Sequence, residues 1–192
     1  MRILFFGDSI CAGSDIPAGT ASYAWPYIVP EFVKWPLDIV NKSRGGRPTD
    51  SIDEFREALA STGTADILAI ALGANDSRDF TGACAATATK NIGEMVQIAR
   101  TAGYSCIVIV GPYNMNAGCW NANEASRAHR VRNLVALDEA YADFCRQSRL
   151  DYVSMYGVVP ESSMTHDGVH PDPPGNRPIA ERFAAALLEF AR

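Results

Sequence analysis

Arg2-Ile3-Leu4-Phe5-Phe6-Gly7-Asp8-Ser9 begins as an apolar strand and ends in a small, tight, polar turn that exposes a hydroxyl. The unbroken run Ile3–Phe6 is the pattern of a strand covered on both faces. Four more β-branched or aliphatic runs read as strands, at Leu37–Val40, Ile67–Leu72, Ser105–Val110 and Asp151–Ser154. Helical stretches fall at Thr49–Ala60, at Ala83–Thr101 ahead of Gly103, at Asn123–Ser148, and from about Arg177 to Phe190. Strand–helix alternation of this kind implies an α/β fold with a five-stranded, mostly parallel sheet and helices on both faces. Parallel strands need crossovers, and those crossovers are right-handed. No internal repeat, low-complexity stretch or linker-like shift divides the chain, so one domain is expected over residues 1–192.

With 192 residues and 47% apolar composition, folding is expected to bury roughly 70% of the surface an extended chain exposes. Seventeen basic residues against 22 acidic ones leave a net charge of -5, and there is no dense Lys/Arg run to neutralise phosphates. Nucleic acid is therefore not an expected partner. The first strand begins almost at Met1, leaving no room for a signal peptide, and no apolar run approaches membrane-spanning length. A cytoplasmic protein without a membrane span is expected; whether it forms a homo-oligomer is left open. The cysteines, Cys11, Cys84, Cys106, Cys119 and Cys145, are odd in number and contain no C-x-x-C pair, which argues against a disulfide framework or a zinc site. Cys106 and Cys145 read as core thiols. Cys84 and Cys119 fall in or near loops, and a bond between them is left open.

In an open parallel sheet, ligands bind outside the carboxyl ends of the strands. Ser9 follows the first strand, Gly46 the second, Asn75 the third, the loop Gly111–Trp120 the fourth, and the loop holding Asp167 and His170 the fifth. Every residue with a chemical reading thus falls on one edge.

A serine hydroxyl becomes a useful nucleophile only when a base takes its proton, which requires an imidazole at about 2.6–3.2 Å. Of the three histidines, His129 lies in a charged stretch and reads as a solvated helix residue, whereas His166 and His170 share a loop. His170 follows Asp167 by three residues, a spacing one turn can close, so His170 reads as the base, Asp167 as its orienter and His166 as a neighbour. The backbone N–H groups of Ser9 and Gly46 and the side-chain amide of Asn75 are the candidate oxyanion donors. Each piece has a plainer reading. Asp167-Gly168 is a common turn pair, Gly7-Asp8-Ser9 a strand end capping the next segment, Gly45-Gly46 a flexible turn, and Asn75 a helix cap. Two rival functions also remain: a metal-dependent hydrolase built on Asp8, His166, Asp167 and His170, and a non-catalytic module whose loops bind phosphate or a flavin.

Taken together, these residues resemble the SGNH hydrolases, also called the GDSL esterase/lipase family, over nearly the whole chain. Gly7-Asp8-Ser9 is similar to the family's first block, Asn41-Lys42-Ser43-Arg44-Gly45-Gly46 to the second, Gly73-Ala74-Asn75-Asp76 to the third, and Asp167-Gly168-Val169-His170-Pro171 to the D-x-x-H-P block. The resemblance implies a three-layer α/β/α, flavodoxin-like fold, with no cofactor and no metal. It also implies Ser9 as nucleophile and oxyanion donor, Gly46 and Asn75 as the other donors, and Asp167 and His170 as acid and base. The second block departs from the pattern in having Gly45 beside Gly46 and Arg47-Pro48 after it.

The expected substrate is a small-molecule ester, with short acyl esters favoured over the thioesters and lysophospholipids that other members cleave. The loop Tyr113–Asn121, with its amides and one indole, suits a polar or sugar-like leaving group.

Overall fold

The computed structural model describes residues 1–14, 23–116 and 124–190. Its strands are β1 (Arg2–Gly7), β2 (Asp38–Asn41), β3 (Ile67–Ala71), β4 (Ile107–Tyr113) and β5 (Asp151–Met155). They form one sheet in the order β2-β1-β3-β4-β5, and every neighbouring pair is parallel. The helices are α1 (Ser9–Ala12), α2 (Trp25–Ile28), α3 (Ile52–Thr62), α4 (Cys84–Thr101), α5 (Glu124–Ser148) and α6 (Pro173–Phe190). This is the expected three-layer, flavodoxin-like α/β/α arrangement. Among the described residues, no helix is long and apolar enough to cross a membrane.

Alternation along the strands divides the core in two. Leu4, Phe6, Leu68 and Ile70 face α3, α4 and α5, where Phe55, Ile92 and Leu137 cover them. Ile3, Phe5, Ala69 and Val110 face the other way, toward Trp25 of α2 and Phe183 of α6. Phe5 meets Trp25 edge-on at 5.1 Å and Phe183 at 5.3 Å, an aromatic cluster that fixes α2 and α6 to the middle of the sheet. Such ring pairs contribute about 1 kcal/mol each beyond their buried area.

Departures from the sequence expectation have local causes. β4 begins at Ile107 and runs to Tyr113, through a Gly111-Pro112 pair that reads as a loop. Val110 pairs with Val153 but Tyr113 with Met155, so one extra residue bulges out, and a bulge is where a sheet tolerates proline. α6 starts at Pro173 instead of Arg177, because proline is at home in the first helical turn, where its missing N–H would have had no partner. The aromatic, proline-punctuated segment after Ser14 contributes α2 and a 3-10 turn at Val29–Phe32, both too short for periodicity to reveal. Cys145 is buried as expected, whereas Cys106 precedes β4 and is half-buried.

Candidate active site

The switch point of the strand order lies between β1 and β3, and Ser9 stands at it. β1 closes on Gly7, paired with Ala71 of β3. A Cβ at Gly7 would lie 2.5 Å from Cys11 Cβ and 2.9 Å from Ala71 O, so only glycine lets the chain turn this tightly. Asp8 then caps α1, its Oδ1 accepting from Ile10 N at 3.0 Å. The capping reading is realised by Asp8, the residue just before the Ser9 hydroxyl.

Ser9 Oγ lies 2.8 Å from His170 Nε2, bridging 161 positions of sequence. His170 Nδ1 lies 2.5 Å from Asp167 Oδ2. Asp167 Oδ1 accepts from Thr165 Oγ1 at 2.7 Å, Val169 N at 2.8 Å and His170 N at 3.0 Å. Burial opposes ionisation of Asp167, but these hydrogen bonds outweigh it and hold the carboxyl well below its ordinary range. An ionised carboxylate only accepts, so Nδ1 carries the proton and Nε2 presents its lone pair to the Ser9 hydroxyl. The Asp-Gly turn pair is therefore the device that brings carboxylate and imidazole together. Thr165 N donates to His170 O at 2.7 Å and Asp172 N to Ser163 O at 3.0 Å, closing a narrow loop around them. Asn116 N, from the loop after β4, donates to Gly168 O at 2.8 Å and ties that loop down.

Gly46 and Asn75 are stitched to the same edge through Arg47, a residue to which the sequence reading gave no role. Its Nη1 donates to Gly7 O at 2.9 Å and to Lys42 O at 2.7 Å, and its carbonyl accepts from Asn75 Nδ2 at 3.1 Å. The guanidinium, 5% exposed as a residue, lies 3.9 Å over the Phe6 ring and pairs with Glu54. Glu54 also pairs with Arg44, and these bonds pull its carboxyl down to about 2 against a smaller effect of burial. A second stitch joins Asp76 Oδ1 to Thr49 Oγ1 at 2.5 Å. The signal for both was adjacency, since Arg47 follows the second block and Asp76 completes the third.

Gly46 adopts φ +70°, a conformation that favours glycine, whereas Gly45 does not have positive φ. Among the described residues, neither Ser9 N–H nor Gly46 N–H has a hydrogen-bond partner. Asn75 precedes the 3-10 turn Asp76–Arg78 but its side chain makes no capping bond, and one of its two amide hydrogens is unspent.

Several expectations need correction. His129 is not a solvated helix residue: it is half-buried, its Nε2 lies 2.6 Å from Asp79 O, and its ring stacks on Phe80 at 4.3 Å. Of the amides proposed for a sugar-like group, Asn114 Nδ2 donates to Val159 O at 2.7 Å and Asn116 Nδ2 to Glu161 O at 3.2 Å, and Asn121 lies outside the described residues. Trp120 and Cys119 lie outside the described residues; Cys84 is a free thiol that meets Asp76 O at 3.2 Å. Burial pushes the Cys84 thiol up to about 12, so it carries no thiolate near neutrality. His166 is exposed, and among the described residues no three of His, Cys, Asp and Glu gather as a metal-holding group.

Asp8 is 1% exposed, and burial pushes its carboxyl up to about 6 despite the bond from Ile10 N and the nearby His170. A cavity of about 720 Å³ lies between α3 and α4, around Gly63 and Tyr104, which precede β3 and β4. It therefore opens at the sheet edge opposite Ser9.

The GDSL-like Lipase/Acylhydrolase family matches the chain over residues 5–177. No curated protein matches it. Among solved structures, a carbohydrate acetylesterase family member from Sinorhizobium meliloti is 20% identical, with a TM-score of 0.81 over 98% of this chain and 97% of the other. An aryl esterase from M. smegmatis is 16% identical, with a TM-score of 0.78 over 98% of each chain. TesA is 22% identical, with a TM-score of 0.77 over 97% of this chain and 98% of the other. At these identities the likeness is one of fold, and it extends from end to end. The span of the family match, and the five-stranded sheet that carries its motifs on one edge, make this chain a member of the GDSL-like lipase/acylhydrolase family.

Proposed function

We propose that the protein is a serine ester hydrolase that works through an acyl-enzyme, and that its preferred substrates are short acyl esters. The observation that carries the reading is the Ser9 Oγ to His170 Nε2 contact of 2.8 Å, with Asp167 2.5 Å behind the ring. Ser9 Oγ attacks the ester carbonyl carbon while Nε2 takes the hydroxyl proton, and the imidazolium is stabilised by Asp167. The carbonyl oxygen becomes an anion, for which Ser9 N–H, Gly46 N–H and the Asn75 amide are the donors. Each such donor typically contributes roughly 2.7–4 kcal/mol to the transition state.

Collapse breaks the carbonyl-to-alkoxy bond, and the leaving alcohol takes the proton back from Nε2. A water then repeats the sequence on the acyl-Ser9 ester, releasing the acid and restoring the hydroxyl.

The short-acyl preference, acetylated saccharides included, is supported by the S. meliloti neighbour described as a carbohydrate acetylesterase family member. The test is a panel of acetylated sugars, p-nitrophenyl esters of graded chain length, acyl-CoA and lysophospholipid, assayed with wild type and Ser9→Ala. Acetyl esters turned over fastest by wild type, and not by Ser9→Ala, are the expected result. Faster cleavage of decanoyl than acetyl esters overturns the preference; wild-type rates in Ser9→Ala overturn the mechanism.

A further inference from the structure

The turn that follows β3 is held from beneath by one face of α5. Arg130 donates through Nε to Ser77 Oγ at 3.1 Å and through Nη2 to Ala74 O at 3.3 Å. Asn133 Nδ2 reaches Ser77 O at 3.0 Å and Asp79 O at 2.8 Å, and His129 Nε2 meets Asp79 O. Ser77 is fully buried, and its hydroxyl also donates to Ala74 O at 2.6 Å. These two acceptors of the guanidinium lie on either side of Asn75, one before it and one after. α5 is anchored to the sheet by the buried Leu134, Leu137 and Tyr141, so the brace stands on a fixed support.

A brace alone does not call for a charge. Asn133 already ties the same turn with a neutral amide, and burying a guanidinium costs solvation. That cost is visible: burial pulls Arg130 down to about 10, the neighbouring Arg78 acts in the same direction, and Asp167 opposes both. What the guanidinium adds is a rigid planar fork with a separate nitrogen, Nε or Nη2, for each of two acceptors, which a single ammonium does not offer. Here the fork fixes the Ala74–Asn75 peptide and the buried hydroxyl one turn further on. From the side, Arg47 O takes one hydrogen of the Asn75 amide. Arg130 thus holds the backbone on which Asn75 stands, and Arg47 holds its amide.

We infer that Arg130 is a positioning residue for the hydrolytic reaction: its fork pre-sets the turn so that the free hydrogen of Asn75 Nδ2 is aimed where the ester oxygen becomes an anion. The inference rests on the proposed Ser9 mechanism, and it assigns to a residue of α5, outside every motif of the family, an effect felt only in the transition state. Donors help in proportion to how little they must reorganise when charge develops. Loosening the turn therefore lowers kcat and leaves substrate binding alone.

The experiment measures kcat and KM for p-nitrophenyl acetate, with melting temperatures, in wild type, Arg130→Met, Arg130→Lys, Asn75→Ala, Ser9→Ala and the double variant Arg130→Met/Asn75→Ala. Arg130→Met is expected to lower kcat by roughly 10- to 100-fold with KM within about twofold. Arg130→Lys is expected to recover only part of the loss, because one ammonium cannot span both acceptors. In the Asn75→Ala background the Arg130→Met change is expected to cost less than about twofold, since the group it positions is gone.

An undiminished fall in that background overturns the inference, as does wild-type kcat in Arg130→Met. Should the Met variant not fold, a folded Arg130→Lys with wild-type kcat overturns it equally. Ser9→Ala separates the two levels. Activity that survives it rejects the Ser9 mechanism, and a dead Ser9→Ala beside a fully active Arg130→Met rejects only the role of Arg130.

Discussion

The guanidinium of Arg47 donates to the carbonyl of Gly7 at 2.9 Å, so the loop that carries Gly46 is fastened to the strand end that presents Ser9. The same residue's carbonyl receives the Asn75 amide. Three strand-end loops are thereby locked together by one side chain and one peptide. That is the rigidity an oxyanion site needs, because its donors must be in place before charge appears.

Replacing Arg47 with alanine removes the donor to two carbonyls and leaves Glu54 with Arg44 alone. A loss of about 2–4 kcal/mol is expected in urea unfolding, with a fall in kcat larger than the change in KM. A variant as stable and as active as wild type would show that the loops hold their places without it.

On the proposed mechanism Ser9→Ala is expected to abolish ester turnover and leave the melting temperature within a few degrees. Ser9 is only half-buried, and among the described residues its hydroxyl makes a single side-chain hydrogen bond, to His170. Labelling by a serine-directed fluorophosphonate provides the check: wild type is expected to be modified at Ser9, and Ser9→Ala is not.

Asp167→Asn keeps the shape of the turn but replaces the carboxylate that holds the proton on Nδ1. By analogy with serine hydrolases in which this change traps the wrong tautomer, kcat is expected to fall by roughly 10⁴-fold. The Asn75→Ala variant lacks one of the proposed oxyanion donors and is expected to lose roughly 10²–10³ in kcat. Steady-state kinetics on p-nitrophenyl acetate reads both, and a loss below tenfold in either would remove that residue from its assigned role.

The carboxyls of Asp8, which is buried, and of Asp167, which is partly exposed, push stability in opposite directions with pH. Asp8 titrates at about 6 when folded against an ordinary 3.8, so the folded chain holds the extra proton and stability falls as pH rises between those values. This group alone is expected to withdraw roughly 2–3 kcal/mol over that interval. Asp167, held below its ordinary range, contributes stability above that range and loses it as pH falls. Asp8→Asn preserves the cap acceptor and is expected to gain stability over wild type at pH 7.5 but not at pH 4 in urea titrations. Equal gains at both pH values would contradict the assignment.

The architecture was legible because β1, β3 and β4 are buried on both faces and read as unbroken apolar runs. The five candidate site residues were legible because each follows a strand closely enough to share the edge. What the sequence hid was of another kind. α2 is a single turn, and its burial depends on Trp25 finding Phe5 and Phe183, partners far away in sequence.

The bulge that admits Pro112 exists only as a mismatch of register with β5. Arg47 and Arg130 act by binding backbone or hydroxyl atoms, and Thr49 by binding the Asp76 carboxylate, and nothing in their immediate neighbours announces such bonds. Asn114 and Asn116 mislead for the same reason, since an amide in a loop looks alike whether it faces a ligand or the next loop.

Ser9 and His170 belong to opposite ends of the chain, and their hydroxyl and ring meet only once β1 is in the sheet and the segment leading into α6 has docked. On the proposed mechanism, ester turnover is thus a gauge of completed assembly. During refolding, ester turnover is expected to return after the far-ultraviolet helical signal, and the interval between them times the arrival of the C-terminal layer.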